Sequence, residues 1–86
     1  MSNNAKIDAA QLQLAEVVAT ALELEPVEVH DRLTPADVAV WDSFTHVMLI
    51  THVEEAFGVK IGPKEATRVR SVGDISALLR SRGIEI

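Results

Sequence analysis

The sequence predicts an all-α fold, a small four-helix bundle with a long loop between the first two helices and a short third helix. Apolar residues recur at helical spacing in separate segments, each with its own start and stop signals. No segment shows sustained strand alternation, and the nearest, residues 38–40, is too short. The length of 86 residues and the hydrophobic content of 48% suit one domain with a small aliphatic core. We expect residues 1–86 to form a single domain in which residues 1–6 are disordered.

The first helix is predicted over residues 9–24. Asp8 provides an N-cap, and Gln11 stands at the position that closes a capping box. The helix should end near Pro26, because the residue before a proline is disfavoured in helical conformation. The apolar stripe that faces the core comprises Leu14, Val17, Val18, Ala21 and Leu22.

A long connection follows, from residue 26 to residue 41. Within it, residues 34–37 predict one capped turn, because Thr34 precedes a proline at the first helical position. A connection of this length between helices is uncommon unless it has a function or packs on the domain. We therefore expect this connection either to have a function or to pack on the domain.

The second helix, predicted over residues 43–57, is the most informative segment. Asp42 is a good N-cap, and Gly58 follows where a left-handed residue would end the helix. Ser43 then falls in the first turn, where its hydroxyl is exposed and the backbone N–H groups lack partners. Those donors and the positive end of the helix dipole favour a negative group, such as a phosphate attached to the hydroxyl. Ser43 is therefore expected to be an attachment point rather than a nucleophile.

Two shorter helices complete the prediction. A proline opens a third helix over residues 63–68. Ser71 and Asp74, three residues apart, form the cap of a fourth helix over residues 72–81, and Gly83 ends it.

Helical spacing separates the two faces of the second helix. A rotation of about 100° per residue places His46, Ile50 and Val53 toward the core and Phe44 and Met48 on the exposed face. Isolated exposed apolar residues are common in soluble proteins. An aromatic ring and a flexible thioether beside the serine also suit a docking patch for transient partners.

Composition excludes several classes of site and partner. Without cysteine, the chain has no disulfide, thiolate zinc site or cysteine nucleophile. A net charge of −5 argues against nucleic acid, and ten acidic against two basic residues over positions 1–59 should steer the protein toward basic surfaces. The chain shows neither the apolar run of a signal peptide nor a segment of transmembrane length. We expect a cytoplasmic monomer without membrane insertion.

The chain resembles the acyl carrier proteins over residues 10–82. The matching residues are Asp42, Ser43, Phe44, Val47, Leu49, Val53, Glu54, Glu55, Ala56, Phe57, Gly58, Ile61, Ala66, Val69, Val72 and Ile75. The resemblance implies that Ser43 is esterified with 4′-phosphopantetheine, whose thiol carries acyl or aminoacyl groups as thioesters between enzymes. It also implies a non-catalytic protein, since the transfer chemistry belongs to the cofactor and the partner enzymes.

Further roles follow from the resemblance. Asp42 would meet the phosphopantetheinyl transferase, and synthases, ligases or acyltransferases would load and unload the arm. The residues expected to contact these partners are Phe44, Val47, Met48, Glu54 and Glu55. The residues expected to line an acyl pocket are His46, Ile50, Val53, Ala66 and Val69.

Departures from the family pattern bear on the pathway. Thr45 and Met48 stand where carriers of fatty-acid synthesis commonly have acids, and Phe44 replaces the more frequent leucine, as in D-alanyl carrier proteins. Trp41 before the Asp-Ser pair resembles discrete carriers of secondary-metabolite or polysaccharide pathways. We therefore expect a secondary-metabolite, polyketide-like pathway, with fatty-acid synthesis as the alternative.

His46 leaves several interpretations open. A polar imidazole in the acyl pocket would favour short or polar cargo. Alternatively, it is a histidine at the edge of the core, bonded to a carbonyl. His46 and Ser43 could also touch as a hydrolase pair, but the chain has no nucleophile elbow and no second donor for an oxyanion hole.

Two further alternatives concern the surface of the second helix. His52 and Glu55 share a face and could weakly chelate a metal, but two surface ligands do not make a site, and no metal is expected. An unmodified helical adaptor that binds a partner through Phe44 and Met48 is the alternative from another functional class.

Overall fold

The computed structural model describes residues 9–86 and contains no strand among them. Its α-helices are α1 (Ala9–Leu22), α2 (Ser43–Phe57), α3 (Pro63–Arg68) and α4 (Val72–Ser81). A 3₁₀ turn at Pro26–Glu28 follows α1. The prediction of an all-α fold with a long first loop and a short third helix is confirmed. The expected disorder of residues 1–6 and the cap at Asp8 lie outside the described residues.

The first helix ends before the predicted limit at residue 24, with Leu22 as its last residue. Glu23 adopts a left-handed conformation with φ 61°, which stops the helix before the proline can. The Leu24 N–H then donates to the Ala19 carbonyl at 2.9 Å, so that an acceptor of the last turn is satisfied. Because glutamate is not a typical left-handed residue, the sequence does not mark this position.

The 3₁₀ turn is also absent from the sequence prediction. The Glu28 carboxylate accepts a hydrogen bond from the Glu25 N–H at 2.8 Å, and the Val29 N–H donates to the Pro26 carbonyl at 3.1 Å. A single turn of this kind is too short to leave a periodic pattern in the sequence. These hydrogen bonds fix the backbone conformation at the start of the long connection.

The core is aliphatic apart from one tryptophan, and α3 lies at its periphery. Its buried members are Leu14, Val18, Leu22, Leu33, Val38, Trp41, Leu49, Ile50, Val53, Ile61, Val69, Val72, Ile75 and Leu79. Two residues of the predicted α1 stripe, Val17 and Ala21, are only partly buried. No residue of α3 is buried, although Ile61 and Val69 on either side of it are. Within α3 only the partly buried Ala66 packs against the core, so polar contacts also help to position this helix.

The long connection packs on the domain. Leu33, Val38 and Trp41 are buried in the core, so the connection forms part of the wall of the bundle. The predicted turn is present: the Asp37 carboxylate accepts hydrogen bonds from the Thr34 N–H at 3.0 Å and from its hydroxyl at 3.1 Å. Of the two explanations for a connection this long, packing on the domain is confirmed.

Backbone hydrogen bonds join this connection to the start of α4. The Val72 N–H donates to the Leu33 carbonyl at 3.0 Å, and the Gly73 N–H donates to the Asp31 carbonyl at 2.9 Å. The Ser71 hydroxyl oxygen caps the same helix by accepting from a third N–H, that of Asp74, at 3.2 Å. The first amides of α4, which have no partners within the helix, are thereby satisfied.

Arg82, just after α4, connects that helix to α3 and to the loop before α3. It forms an ion pair with Glu65, and its Nη2 and Nε donate to the Lys60 carbonyl at 3.1 and 3.3 Å. The Glu65 carboxylate also accepts from the Gly62 N–H at 3.1 Å, which caps the start of α3. The hydrogen bond from Arg82 is the main reason that the pKa of Glu65 is lowered, and the same bond raises the pKa of Arg82.

Replacement of Gly73 by alanine should destabilise the protein, although alanine is ordinarily the better helix former by about 1 kcal/mol. A Cβ at this position would lie 3.0 Å from the Asp31 carbonyl oxygen and 3.3 Å from the Asp31 Cβ. The connection would have to move away and weaken the hydrogen bond to α4, at a net cost of about 1–2 kcal/mol. Urea denaturation of Gly73→Ala measures the change. A higher free energy of unfolding would show that helix propensity outweighs this crowding.

The pairing of Glu65 with Arg82 predicts a pH dependence of stability. Because the pKa of Glu65 in the folded protein lies below its ordinary value of 4.5, the pair stabilises the fold above that pH and loses its effect as the pH falls through the folded pKa. Glu65→Gln should therefore lower the melting temperature at neutral pH, and its difference from the wild type should shrink below pH 4.5. Glu85→Gln is the control, since Glu85 makes no hydrogen bond within residues 9–86. A difference independent of pH would contradict the assignment.

Candidate functional site

Asp42 and the first turn of α2 position Ser43. Asp42 is extended, with φ −103° and ψ −172°, and its carboxylate accepts a hydrogen bond from the Thr45 N–H at 2.9 Å. Its carbonyl accepts from the His46 N–H at 2.8 Å, the first bond of the helix. The predicted N-cap is confirmed, and Ser43 is the first residue of α2. The hydrogen bond from Thr45 is the main cause that lowers the pKa of Asp42, so the cap is an anion at neutral pH.

The Ser43 side chain is exposed and makes no hydrogen bond within residues 9–86. The carboxylate of its neighbour Asp42 is engaged by the Thr45 N–H. No carboxylate or imidazole of the described chain is hydrogen-bonded to the Ser43 hydroxyl. The hydroxyl is therefore accessible from solvent, without a hydrogen-bonded base beside it among residues 9–86.

His46, one turn after Ser43, links the start of α2 to α3. The Trp41 Nε1–H donates to His46 Nδ1 at 3.0 Å, and His46 Nε2 lies 2.9 Å from the Ala66 carbonyl oxygen. An indole nitrogen can only donate, so Nδ1 must accept, and Nε2 carries the proton that it donates to Ala66. The ring planes of Trp41 and His46 are inclined by 18°, with centroids 6.1 Å apart. Both nitrogens of the imidazole are therefore engaged.

A groove of ≈ 540 Å³ begins at Ser43 and runs between α2 and α3. It is lined by Pro35, Trp41, Asp42, Ser43, His46, Val47, Thr67 and Val69. Of the predicted acyl-pocket residues, His46 and Val69 line this groove. Ile50 and Val53 lie in the core, with 6% and 0% exposure, and Ala66 is half-buried with its carbonyl bonded to His46. The groove is thus lined by two of the five residues that were predicted to form the acyl pocket.

Exposed apolar side chains surround the serine on its solvent side. Phe44 is 74% exposed, Val47 63% and Met48 40%, so three of the five predicted partner contacts form an exposed apolar patch on α2. Glu55 is also exposed. Glu54 differs, because it is half-buried and its carboxylate accepts a hydrogen bond from the Ile61 N–H at 2.7 Å. That carboxylate fixes the loop after α2, a role that the sequence pattern did not reveal.

The described part of the chain was also compared with the requirements of a metal site and of a membrane-spanning helix. Residues 9–86 contain no group of three histidine, aspartate or glutamate side chains that could hold a metal ion. His52 is half-buried and, together with Glu55, lines a separate shallow groove between α2 and residues of α1. Across residues 9–86, the helices fall short of the length and apolar character that crossing a membrane requires.

Two curated proteins are similar to this chain over most of its length. Both are named meromycolate extension acyl carrier protein, one from Mycolicibacterium aurum and one from Mycolicibacterium smegmatis. Each is 31% identical over 67 residues, which is 78% of this chain and 69% and 68%, respectively, of the two relatives. The chain belongs to the acyl carrier protein family. No protein-family model matches it.

Family membership agrees with the resemblance inferred from the residues, and the structure adds a feature that the sequence reading missed. The hydrogen bond between Trp41 and His46 joins residues on opposite sides of the helix cap. A tryptophan just before the cap and a histidine one turn inside the helix are the only signals that could have suggested it. The prediction that His46 lies at the edge of the core and bonds to a carbonyl is confirmed by its contact with the Ala66 carbonyl.

Proposed function

We propose that Ser43 is the attachment point of a 4′-phosphopantetheine arm and that the protein carries acyl or aminoacyl groups between partner enzymes. The observation that carries the proposal is an exposed, unbonded serine hydroxyl at the first position of a capped helix, in a chain of the acyl carrier protein family. The arm supplies a thiol that holds the cargo as a thioester. The protein supplies the position of the hydroxyl and the surface around it.

The residues around Ser43 fit such a group. The Ser43 N–H has no partner within residues 9–86, and it lies at the positive end of the α2 dipole, which favours a phosphodiester. The Asp42 carboxylate is an anion held by the Thr45 N–H, so the Ser43 N–H, rather than Asp42, is the group that would attract a phosphate. The groove beside Ser43 offers space for the proximal part of an arm.

The same geometry supports a carrier that performs no catalysis. A serine hydrolase requires a base that removes the hydroxyl proton. His46 is the nearest imidazole along α2, and both of its nitrogens are bonded, to Trp41 and to Ala66. A base in that position would have to give up a buried hydrogen bond before it could act on Ser43.

The exposed patch of Phe44, Val47 and Met48 is the proposed recognition surface for the phosphopantetheinyl transferase and for the enzymes that load and unload the arm. It borders Ser43, and Glu55 adds a negative charge on the exposed side of the same helix. Such a surface suits transient partners that combine apolar contact with basic residues. A monomer in the cytoplasm remains the expected state.

Two pathways are compatible with this carrier role. The absence of acids at Thr45 and Met48 favours a secondary-metabolite, polyketide-like pathway. The word extension in the names of the two relatives favours the second candidate, a carrier for chain extension in fatty-acid synthesis. The intact mass of the protein from its native cell would distinguish them, because it reports the acyl group on the arm.

Modification by a promiscuous phosphopantetheinyl transferase and coenzyme A tests the attachment site. The wild type should gain the mass of one arm, and Ser43→Ala should gain none while its circular dichroism stays helical. Ser81→Ala is the matched control, since it removes another exposed serine hydroxyl and should still be loaded. Loading of Ser43→Ala would place the arm on another residue, and no loading of the wild type would favour the unmodified adaptor.

Met48→Glu tests the recognition surface. A charge in the apolar patch should lower kcat/KM of the transferase about tenfold, which corresponds to roughly 1.4 kcal/mol of docking energy. The free energy of unfolding should change by no more than about 0.5 kcal/mol, because Met48 is already partly exposed. Ala77→Glu adds the same charge on α4 and should leave kcat/KM unchanged. Equal effects of the two variants would show that net charge, rather than this patch, governs docking.

A further inference from the structure

We propose that the Trp41–His46–Ala66 hydrogen-bond chain is a latch that closes the space between α2 and α3 and restricts the cargo to short or polar acyl groups. The inference rests on the proposed attachment of the arm to Ser43. It concerns which acyl groups the protein can shelter, and it assigns to His46 the role of a specificity-determining residue.

The first argument is the position of the latch. The groove that begins at Ser43 includes His46 but neither Ile50 nor Val53, which follow at helical spacing on the same face of α2. Those two residues are buried in the core, with 6% and 0% exposure. An acyl chain that enters from Ser43 therefore meets the imidazole before it can reach the apolar interior.

The second argument is what the latch holds. α3 has six residues and none of them is buried, so core packing alone does not fix it against α2. The bond from His46 to the Ala66 carbonyl joins the two helices beside the groove. Arg82 holds the other side of α3 through Glu65 and the Lys60 carbonyl. To admit a chain between α2 and α3, the helices must separate at His46.

The third argument is the energetic consequence of opening. Trp41 is only 4% exposed, so its indole N–H would lose its partner in a place that water barely reaches. A buried donor without a partner is strongly unfavourable, and the freed imidazole nitrogens would face an alkyl chain that cannot bond to them. A linear alkyl chain thus gains apolar burial only by disrupting two hydrogen bonds.

The groove outside the latch suits a different cargo. Its lining combines the apolar surfaces of Pro35 and Val69 with the polar groups of Asp42, Ser43 and Thr67. A short acyl group, or one with hydroxyl or keto oxygens, can rest at the edge of this groove beside the arm and keep contact with water. A long alkyl chain would leave most of its methylenes exposed.

Comparison of acetyl and octanoyl forms of the wild type tests the latch. Both arms are transferred from the corresponding acyl-coenzyme A, and intact mass confirms each product before any other measurement. The octanoyl form should melt within about 1 °C of the acetyl form, whereas burial of a methylene or two would raise the melting temperature by about 4 °C or more. A rise of that size in the wild type would overturn the proposal. Absence of the arm by mass would instead overturn the proposed function.

The indole N–H of Trp41 gives a second readout that needs no variant. The chain has one tryptophan, so its indole signal in an NMR spectrum of ¹⁵N-labelled protein is unambiguous. With the latch closed, its chemical shift and its slow hydrogen exchange should be the same in the acetyl and octanoyl forms. A shifted, rapidly exchanging indole signal in the octanoyl form alone would show that the chain opens the latch, contrary to the proposal.

His46→Leu removes both hydrogen bonds and supplies an apolar side chain. In this variant the octanoyl form should melt at least about 4 °C above the acetyl form, because the chain can now enter between the helices. His52→Leu is the matched control, the same substitution on the same helix but away from the groove, and it should behave as the wild type. His46→Gln retains a donor and an acceptor and should restore part of the discrimination. Equal octanoyl effects in His46→Leu and His52→Leu would contradict the assignment.

Discussion

The hydrogen bond from the Thr45 N–H to the Asp42 carboxylate fixes the first residue of α2, and three neighbouring side chains take their positions from it. At the cap the backbone is extended, and Trp41 just before it is buried in the core. After the cap, Ser43 faces solvent. One turn later, His46 accepts a hydrogen bond from the indole N–H of Trp41. Without the cap the first turn of α2 would fray, and Ser43 and His46 would no longer be held in fixed positions.

The same start of α2 determines how α3 is held. A helix of six residues is too short to be stable alone, and α3 adds no buried side chain of its own. Two polar contacts therefore supplement the packing of Ala66: the hydrogen bond from His46 to the Ala66 carbonyl and the ion pair of Arg82 with Glu65. Because α3 forms one wall of the groove beside Ser43, that wall is positioned partly by His46 of α2 and by Arg82 at the end of α4.

Local signals explain what could be predicted from the sequence. The cap at Asp42 and the left-handed Gly58 depend on residue type alone, and the structure confirms both ends of α2. The all-α class follows from periodicity in the same way. The early end of α1 at Glu23 does not, because glutamate has no marked preference for positive φ. The bond between Trp41 and His46 requires that the connection first fold onto α2, and a helical wheel cannot represent a contact across a cap. The inward direction of His46 and a carbonyl partner for it were predictable, whereas its bond to the Trp41 indole was not.

The connection between α1 and α2 also bears on where this protein can be altered. Long loops are often chosen for inserted peptides or fluorescent labels, but tolerance depends on backbone without partners and on exposed side chains. The carbonyls of Asp31 and Leu33 serve α4, and Val38 is buried. An insertion there would leave helix amides unsatisfied and would open the hydrophobic interior to water. The first residues of the connection differ, since Val27 is 89% exposed. A label intended to follow this protein among its partners belongs on the exposed side chain at position 27, because an insertion there would break the hydrogen bonds of the 3₁₀ turn.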